Sequence, residues 1–266
     1  MHRLALGLEY VGTNYSGWQS QINQPGVPSV QAALEQALSY VAAHPITVRC
    51  AGRTDAGVHA SGQVVHCDVE VMRSERAWVF GCNSKLPRDI RVLWAKQVPA
   101  DFDARRSATS RQYQYIVYNN PIRPVLLHEY VSWHYRSLDA SLMHTAAQAL
   151  VGEHDFSSFR AAGCQSVSPI REIRALRVKR SGNFVIIEVE ANAFLYHMVR
   201  NLAGTLLDIG DGTKSISWST EVLNAKDRTK ASVTAPPQGL YLAGVRYPAS
   251  LEVPESDSGL WFINQG

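Results

Sequence analysis

The chain has 266 residues, 45% hydrophobic and 18% charged, with a formal net charge of +3. A chain of this length buries roughly 70–75% of its unfolded surface and needs no disulfide staple. Its four cysteines, Cys50, Cys67, Cys82 and Cys164, show no CxxC spacing, which argues against a zinc ribbon or a disulfide framework, and no apolar run approaches the ~18 residues of a membrane helix. The expectation is a globular protein of a reducing, cytoplasmic compartment, with no membrane partner.

Residues 3–11 alternate and read as a strand, with Glu9 too early for a signal peptide. Ser29 is a candidate N-cap for a helix with Val30, Ala33, Leu34, Ala37, Leu38 and Val41 on one face. Strands are expected over 46–52 and 62–71, a helix over 74–83 and a strand over 90–98. That order, β-α-β-β-α-β, is the ferredoxin-like split βαβ arrangement. The later half repeats the theme with insertions. Strands are expected over 107–118 and 130–135, then a helix capped by Asp139 with Leu138 and Met143 as a hydrophobic staple. Strands over 172–180 and 184–190 flank Ser181-Gly182-Asn183, a hairpin signal. Leu195, Met198, Val199, Leu202, Leu206 and Ile209 form a long helical stripe that Gly210 and Gly212 end. A short helix over 219–225 and a strand over 240–247 complete the pattern.

The fold class predicted is α+β: two ferredoxin-like (RRM-like) halves whose antiparallel sheets lie side by side with a catalytic cleft between them. The first half is residues 1–104, the second 105–250, and 251–266 is a tail. Charge is uneven: nine basic and nine acidic side chains in 1–104, seventeen and eleven in 105–250, and three acids in the tail. The positive excess in the second half suits a polyanionic partner, although a solvated mixed surface fits equally.

One loop stands out: Cys50-Ala51-Gly52-Arg53-Thr54-Asp55-Ala56-Gly57-Val58-His59, set between two β-like runs. Its glycines allow sharp turns or close approach, and a charged group on such a loop is a candidate catalytic residue. An Asp in a Gly-rich turn is also ordinary turn chemistry. Arg200 is a lone cation on an apolar helix, either snorkelling to water or held against a carboxylate. Tyr113 and Tyr115 share one strand face, which suits a core or the wall of a base pocket. Arg105, Arg106 and Arg111 could grip phosphates, and Arg171, Arg174, Arg177, Lys179 and Arg180 form a second basic run opposed by Glu172 alone. His59, His66 and Cys67 fit no common metal-ligand spacing, Gly7, Gly12 and Gly17 make no dinucleotide fingerprint, and no P-loop occurs.

The loop at 50–59, followed by Gly62-Gln63-Val64-Val65, resembles the signature of the bacterial tRNA pseudouridine synthase A family of tRNA-uridine isomerases. The resemblance runs through most of the chain. It includes Glu9-Tyr10-Val11-Gly12-Thr13-Asn14-Tyr15-Ser16-Gly17-Trp18-Gln19, Phe102-Asp103-Ala104-Arg105, Ser110-Arg111-Gln112-Tyr113-Gln114-Tyr115, His154-Asp155-Phe156, Ala191 through Asn201, and Gly239-Leu240-Tyr241-Leu242. It implies isomerisation of uridine to pseudouridine at positions 38, 39 and 40 in the anticodon stem-loop of tRNA, by a homodimer that uses no cofactor or metal. It implies Asp55 as nucleophile, Tyr113 against the base, Arg200 as partner of the carboxylate, and Arg53 in flipping the base. Further RNA contacts implied are Arg73, the segment Phe102, Asp103, Ala104, Arg105 and Arg106, and the segment Gly163, Cys164, Gln165, Ser166 and Val167. The family often has a basic residue between the two tyrosines, where this chain has Gln114.

Two other readings compete. A non-catalytic RNA-binding or RNA-folding protein on the same scaffold would keep the basic runs and tolerate loss of Asp55. A hydrolase using Asp55 with His59 rests on local spacing alone and would hydrolyse free uridine.

Overall fold

The computed structural model describes residues 1–21 and 26–255, so most of the 251–266 tail lies outside the described residues. In chain order the elements are β1 (His2–Tyr10), α1 (Val30–Ala42), β2 (Arg49–Cys50), β3 (His59–Val69), α2 (Glu75–Asn83), β4 (Ile90–Val98), β5 (Ser110–Asn119), β6 (Ser132–His134), α3 (Ala140–Gln148), β7 (Gly152–Asp155), β8 (Ile170–Ser181), β9 (Phe184–Ala191), α4 (Met198–Gly210), α5 (Trp218–Ala225) and β10 (Leu240–Arg246). The fold is mixed α+β. No helix among the described residues is long and apolar enough to cross a membrane.

The chain divides into two compact units, Met1–Arg111 with 241–255, and Gln112–Leu240. In the first, β1 is central, antiparallel to β3 on one side and β4 on the other. Leu4, Ala5, Leu6 and Leu8 are wholly buried, as a strand covered on both faces requires. Gly7 lies under the Trp94 indole, where a Cβ would come within 2.0 Å of Nε1. β10 runs parallel to the start of β3, with Tyr241 opposite His59 and Leu242 opposite Ala60. Ser29 caps α1, accepting from the Ala32 N–H at 3.2 Å, and the helix ends at Ala43 in the left-handed region (φ +62°). Helices α1 and α2 pack together, with Gly81 leaving room for Val41.

The expected strand over 46–52 shrinks to the two residues of β2. Ile46 and Val48 are buried, but their N–H groups donate to Ser39 Oγ (2.8 Å) and Glu35 Oε1 (3.0 Å) on α1. Helix side chains therefore satisfy the donors that a sheet ladder would have used.

In the second unit the strand order is β5-β9-β8-β7, with β6 parallel on β5. The β8–β9 hairpin turns at Gly182 (φ +54°), pairing Ser181 with Phe184 as its sequence signal predicts. β7 was not anticipated; it is a short edge strand antiparallel to β8. Asp139 caps α3 by accepting from the Ser141 and Leu142 N–H groups. Leu138 and Met143 are both buried against Gly210, where α3 meets α4. α4 starts at Met198 rather than at Leu195, because His197 adopts φ +58° and interrupts the helical path. Gly210 is its last residue, and Gly212 (φ +76°) takes the chain onward.

Candidate active site

The loop from Ala51 to Val58 is fixed from three sides within the first unit. The Ala51 N–H donates to the Val64 carbonyl at 2.8 Å, and Gln63 Nε2 donates to the Gly52 carbonyl at 2.6 Å. Thr54 is buried: its hydroxyl meets the Tyr10 hydroxyl at 2.8 Å and its carbonyl accepts from the Trp18 N–H at 2.9 Å. The Val58 N–H returns to the Asp55 carbonyl at 3.1 Å, closing a turn with Gly57 at φ +74°. The segment Gly12 to Trp18 presses directly on this loop. A Cβ on Gly12 would lie 2.0 Å from the Val58 carbonyl oxygen, and one on Gly17 (φ +99°) 2.7 Å from that of Thr54. The glycines of the early motif thus serve close backbone approach. Asp55 is half-buried on this rigid turn, and Arg53 is exposed beside it.

His59 is held inside the fold. It is fully buried, its Nδ1 accepts from the Gly12 N–H at 2.9 Å, and its ring packs on Tyr241 at 4.7 Å. The alternative hydrolase reading loses its second residue. His66 is also committed, accepting from the Ala104 N–H at 3.0 Å. No group of three or more His, Cys, Asp or Glu side chains among the described residues is arranged to hold a metal ion.

Residues 102–106 form a strap in the same unit. Phe102 is buried between the His66 and Tyr247 rings, and Arg3 Nη1 donates to its carbonyl at 2.9 Å. Asp103 Oδ1 accepts from the Arg105 and Arg106 N–H groups at 2.9 Å each. Burial alone would raise the Asp103 pKa, but these two N–H groups hold it below the usual carboxylate range. The Arg105 and Arg106 side chains are exposed. Arg111 bridges strap and loop, donating to the carbonyls of Arg105 (2.5 Å) and Ala51 (3.1 Å). Burial pushes the Cys50 thiol up to about 12, against the opposing pull of Arg53, Arg105 and Arg111. Arg73 is exposed just before Ser74, the N-cap of α2.

In the second unit, Tyr113 is half-buried and meets Phe194 edge to face at 5.0 Å. Arg200 lies in the first turn of α4, where its Nε donates to the Ala235 carbonyl at 2.7 Å and its own carbonyl accepts from the Ala235 N–H at 3.1 Å. The loop of Gly163, Cys164, Gln165, Ser166 and Val167 is built around Arg160, whose Nη2 donates to the carbonyls of Cys164 (3.0 Å) and Ser166 (2.6 Å). Arg171 Nη2 adds a bond to Ser166 Oγ at 2.5 Å. Burial would raise the Cys164 thiol, but the Tyr196 and Ser166 N–H groups and the Arg160 guanidinium bring it below its ordinary value. Gly163, Gln165 and Val167 are exposed at the tip.

The second basic run is less free than its sequence suggests. Glu188, on the neighbouring strand, pairs with Lys179 at 3.0 Å and accepts from Gln114 at 3.1 Å. Arg180 donates to Asn119 Oδ1 and to the Leu138 carbonyl. Glu172 is therefore not the only opposing acid. Phe194, Arg160 and the carbonyl-directed role of Arg111 escaped the sequence reading, because their partners lie far along the chain or are main-chain atoms.

Within the first unit Arg111 ties the start of the loop that carries Arg53 and Asp55 to the 102–106 strap. A half-buried carboxylate and exposed cations carried by one unit suit an enzyme that acts on a polyanion. The family model described as tRNA pseudouridine synthase matches residues 8–105 and 146–248. The chain belongs to that family. It is 54% identical to the tRNA pseudouridine synthase A of Coxiella burnetii (strain Dugway 5J108-111) over 263 residues, 99% of this chain and 100% of the relative. It is 54% identical to that of Pseudomonas aeruginosa over 262 residues (98% and 91%), and 52% identical to that of Histophilus somni (strain 2336) over 263 residues (99% and 97%).

Proposed function

We propose that the protein isomerises uridine to pseudouridine at positions 38, 39 and 40 in the anticodon stem-loop of tRNA, with Asp55 as the nucleophile. The observation that carries this is the Asp55 turn, locked by Gly12, Gly17 and Thr54, which holds a half-buried carboxylate beside an exposed Arg53. Cleaving the N-glycosidic bond builds positive charge on the ribose, and a fixed carboxylate stabilises it. The reaction balances within the substrate. The C1′–N1 bond breaks, a C1′–C5 bond forms, a proton leaves C5 and one is taken up at N1. No redox partner or cofactor is called for.

In this reading Tyr113, backed by Phe194, supports the base and Arg200 orients the carboxylate. Arg53 fills the gap left by the extruded uridine, which offsets the few kcal/mol that flipping costs. Arg73, the 102–106 strap and the 163–167 loop grip the RNA backbone. Recognition by shape suits a substrate offering three adjacent positions. The two units are read as ferredoxin-like halves, a view supported by the central β1 and the hairpin-linked β8 and β9. The working form is read as a cytoplasmic homodimer.

The test is tRNA tritiated at uridine C5. The wild-type protein releases tritium to water, and Asp55→Ala binds the tRNA but releases it at least about a thousandfold more slowly. Unchanged release would refute Asp55 as nucleophile. A wild-type protein that binds tRNA and releases none would favour the non-catalytic RNA-binding reading. Arg53→Ala lowers single-turnover release at least about tenfold with the melting temperature unchanged.

A further inference from the structure

Arg111 sits at the start of β5, two residues before Tyr113, in a sequence context that suggested a phosphate contact. Its geometry is different. Nε and Nη2 both point at the Ala51 carbonyl (3.3 and 3.1 Å), Nη2 also reaches the Arg105 carbonyl (2.5 Å), and Nη1 reaches that of Ala108 (3.4 Å). Ala51 is the first residue of the Asp55 loop, pinned from its other side by its N–H bond to Val64. Arg105 belongs to the strap, and its own side chain is exposed. One planar guanidinium therefore joins the backbone of the loop carrying the carboxylate to the backbone of the strap carrying the cations.

We propose that Arg111 is a positioning residue that couples the RNA-gripping strap to the Asp55 loop through main-chain carbonyls, rather than a contact to the RNA. The inference rests on the isomerase reading above. A guanidinium presents a rigid fork of donors that reaches several carbonyls at once, whereas a lysine ammonium is a compact charge on a flexible stem. Lysine keeps the charge and loses the fork, leaving half-buried carbonyls without their donor.

The decisive comparison is Arg111→Lys and Arg111→Gln against wild type and Arg105→Gln, with two measurements. One is the dependence of tRNA affinity on salt; the other is single-turnover tritium release at saturating protein. Removing a phosphate contact lowers the slope of log affinity against log salt by about one. Arg105→Gln is expected to show that loss. Both Arg111 variants are expected to keep the wild-type slope and yet release tritium at least about tenfold more slowly. Wild-type release by Arg111→Lys would overturn the proposal, because charge alone would then suffice. So would a slope lowered by about one in Arg111→Gln, which would make Arg111 a phosphate contact. Failure of both variants to fold would also overturn it, in favour of a general structural role. Hydrogen exchange separates the proposal from the isomerase reading. In Arg111→Lys the amides of the Asp55 loop and of Arg105 and Arg106 lose protection together, whatever the wild-type protein does to tRNA. Unchanged protection would defeat the coupling even if the isomerase reading stands.

Discussion

Gly12 illustrates how much of the site rests on the absence of a side chain. The space where its Cβ would stand is filled by the Val58 carbonyl, only 2.0 Å away, and its N–H is donated to His59. Neither partner is a flexible side-chain end, so the backbone itself would have to move. Gly12→Ala is expected to lower stability by about 1–3 kcal/mol, as overpacking does, and to slow tritium release by displacing the Asp55 turn. Urea unfolding with a parallel single-turnover assay checks both; a variant as stable and active as wild type would show that the segment and loop are not in register. Gly17 obeys the same logic with an added demand, since φ +99° is strained for any residue with a Cβ. Thr54 completes the clamp through Tyr10, which explains why a threonine, buried and hydrogen-bonded, separates the exposed Arg53 from Asp55.

At the scale of elements, α1 does more than cover the sheet. Ser39 and Glu35 on this helix take up the N–H groups of Ile46 and Val48, so the approach to the Asp55 loop is organised by helix side chains. Gln31, buried on the same helix, accepts from Gln19 and Ser20 and donates to Glu35. A polar relay thus runs from the segment after Trp18 to the strand before the loop. Its helix depends on the Ser29 cap, whose hydroxyl also meets that of Ser20 at 3.0 Å. Ser29→Ala is expected to cost about 1 kcal/mol, and Ser29→Asp, which can still cap, less than that. Equal losses in thermal melts of the two variants would indicate that packing rather than capping is at stake. The second unit uses side chains in a parallel way. Asn201 at the start of α4 donates to the Phe159 carbonyl and accepts from Arg228 and Thr234, tying loops to the helix that carries Arg200.

For the molecule as a whole, the strap links site geometry to pH. His66 is 4% exposed and its Nδ1 must be unprotonated to accept from Ala104. Burial lowers its pKa, helped by Arg3 and Arg49 and opposed by Asp103. The unfolded chain takes up this proton near ~6.5 while the folded chain resists it. Unfolded protein then binds more protons, so stability falls as pH drops below about 6.5 and the contribution is complete above that value. Asp68, held low by Arg3, and Asp103 lose their contributions only further down, as pH falls below the usual carboxylate range. Urea unfolding between about pH 5 and 8 is expected to show a shallower decline for His66→Gln than for wild type. An unchanged profile would mean that His66 does not titrate in this window. The net charge of +3 bears on partners rather than on this balance, and the pairing of Lys179 with Glu188 shows that a basic run in sequence need not be a basic surface.

Much of this protein is legible in its sequence. Alternation and 3.6-residue stripes are local properties, so β1, α1, α2, β4, the β8–β9 hairpin and the caps at Ser29 and Asp139 follow from neighbouring residues. The ordered motifs around Asp55, Tyr113 and Arg200 likewise pointed to the family that the comparison with known proteins establishes. Other features depend on contacts remote in sequence, and only the tertiary structure decided them. The strand before the loop is cut to two residues because α1 supplies acceptors. Leu195 falls outside α4 because His197 turns left-handed. Gly12 and Gly17 matter because a distant backbone presses on them, and Arg111 serves carbonyls up to 60 residues away. A main-chain carbonyl is present at every residue and carries no mark in the sequence, so which one a guanidinium finds is settled only when the chain has packed.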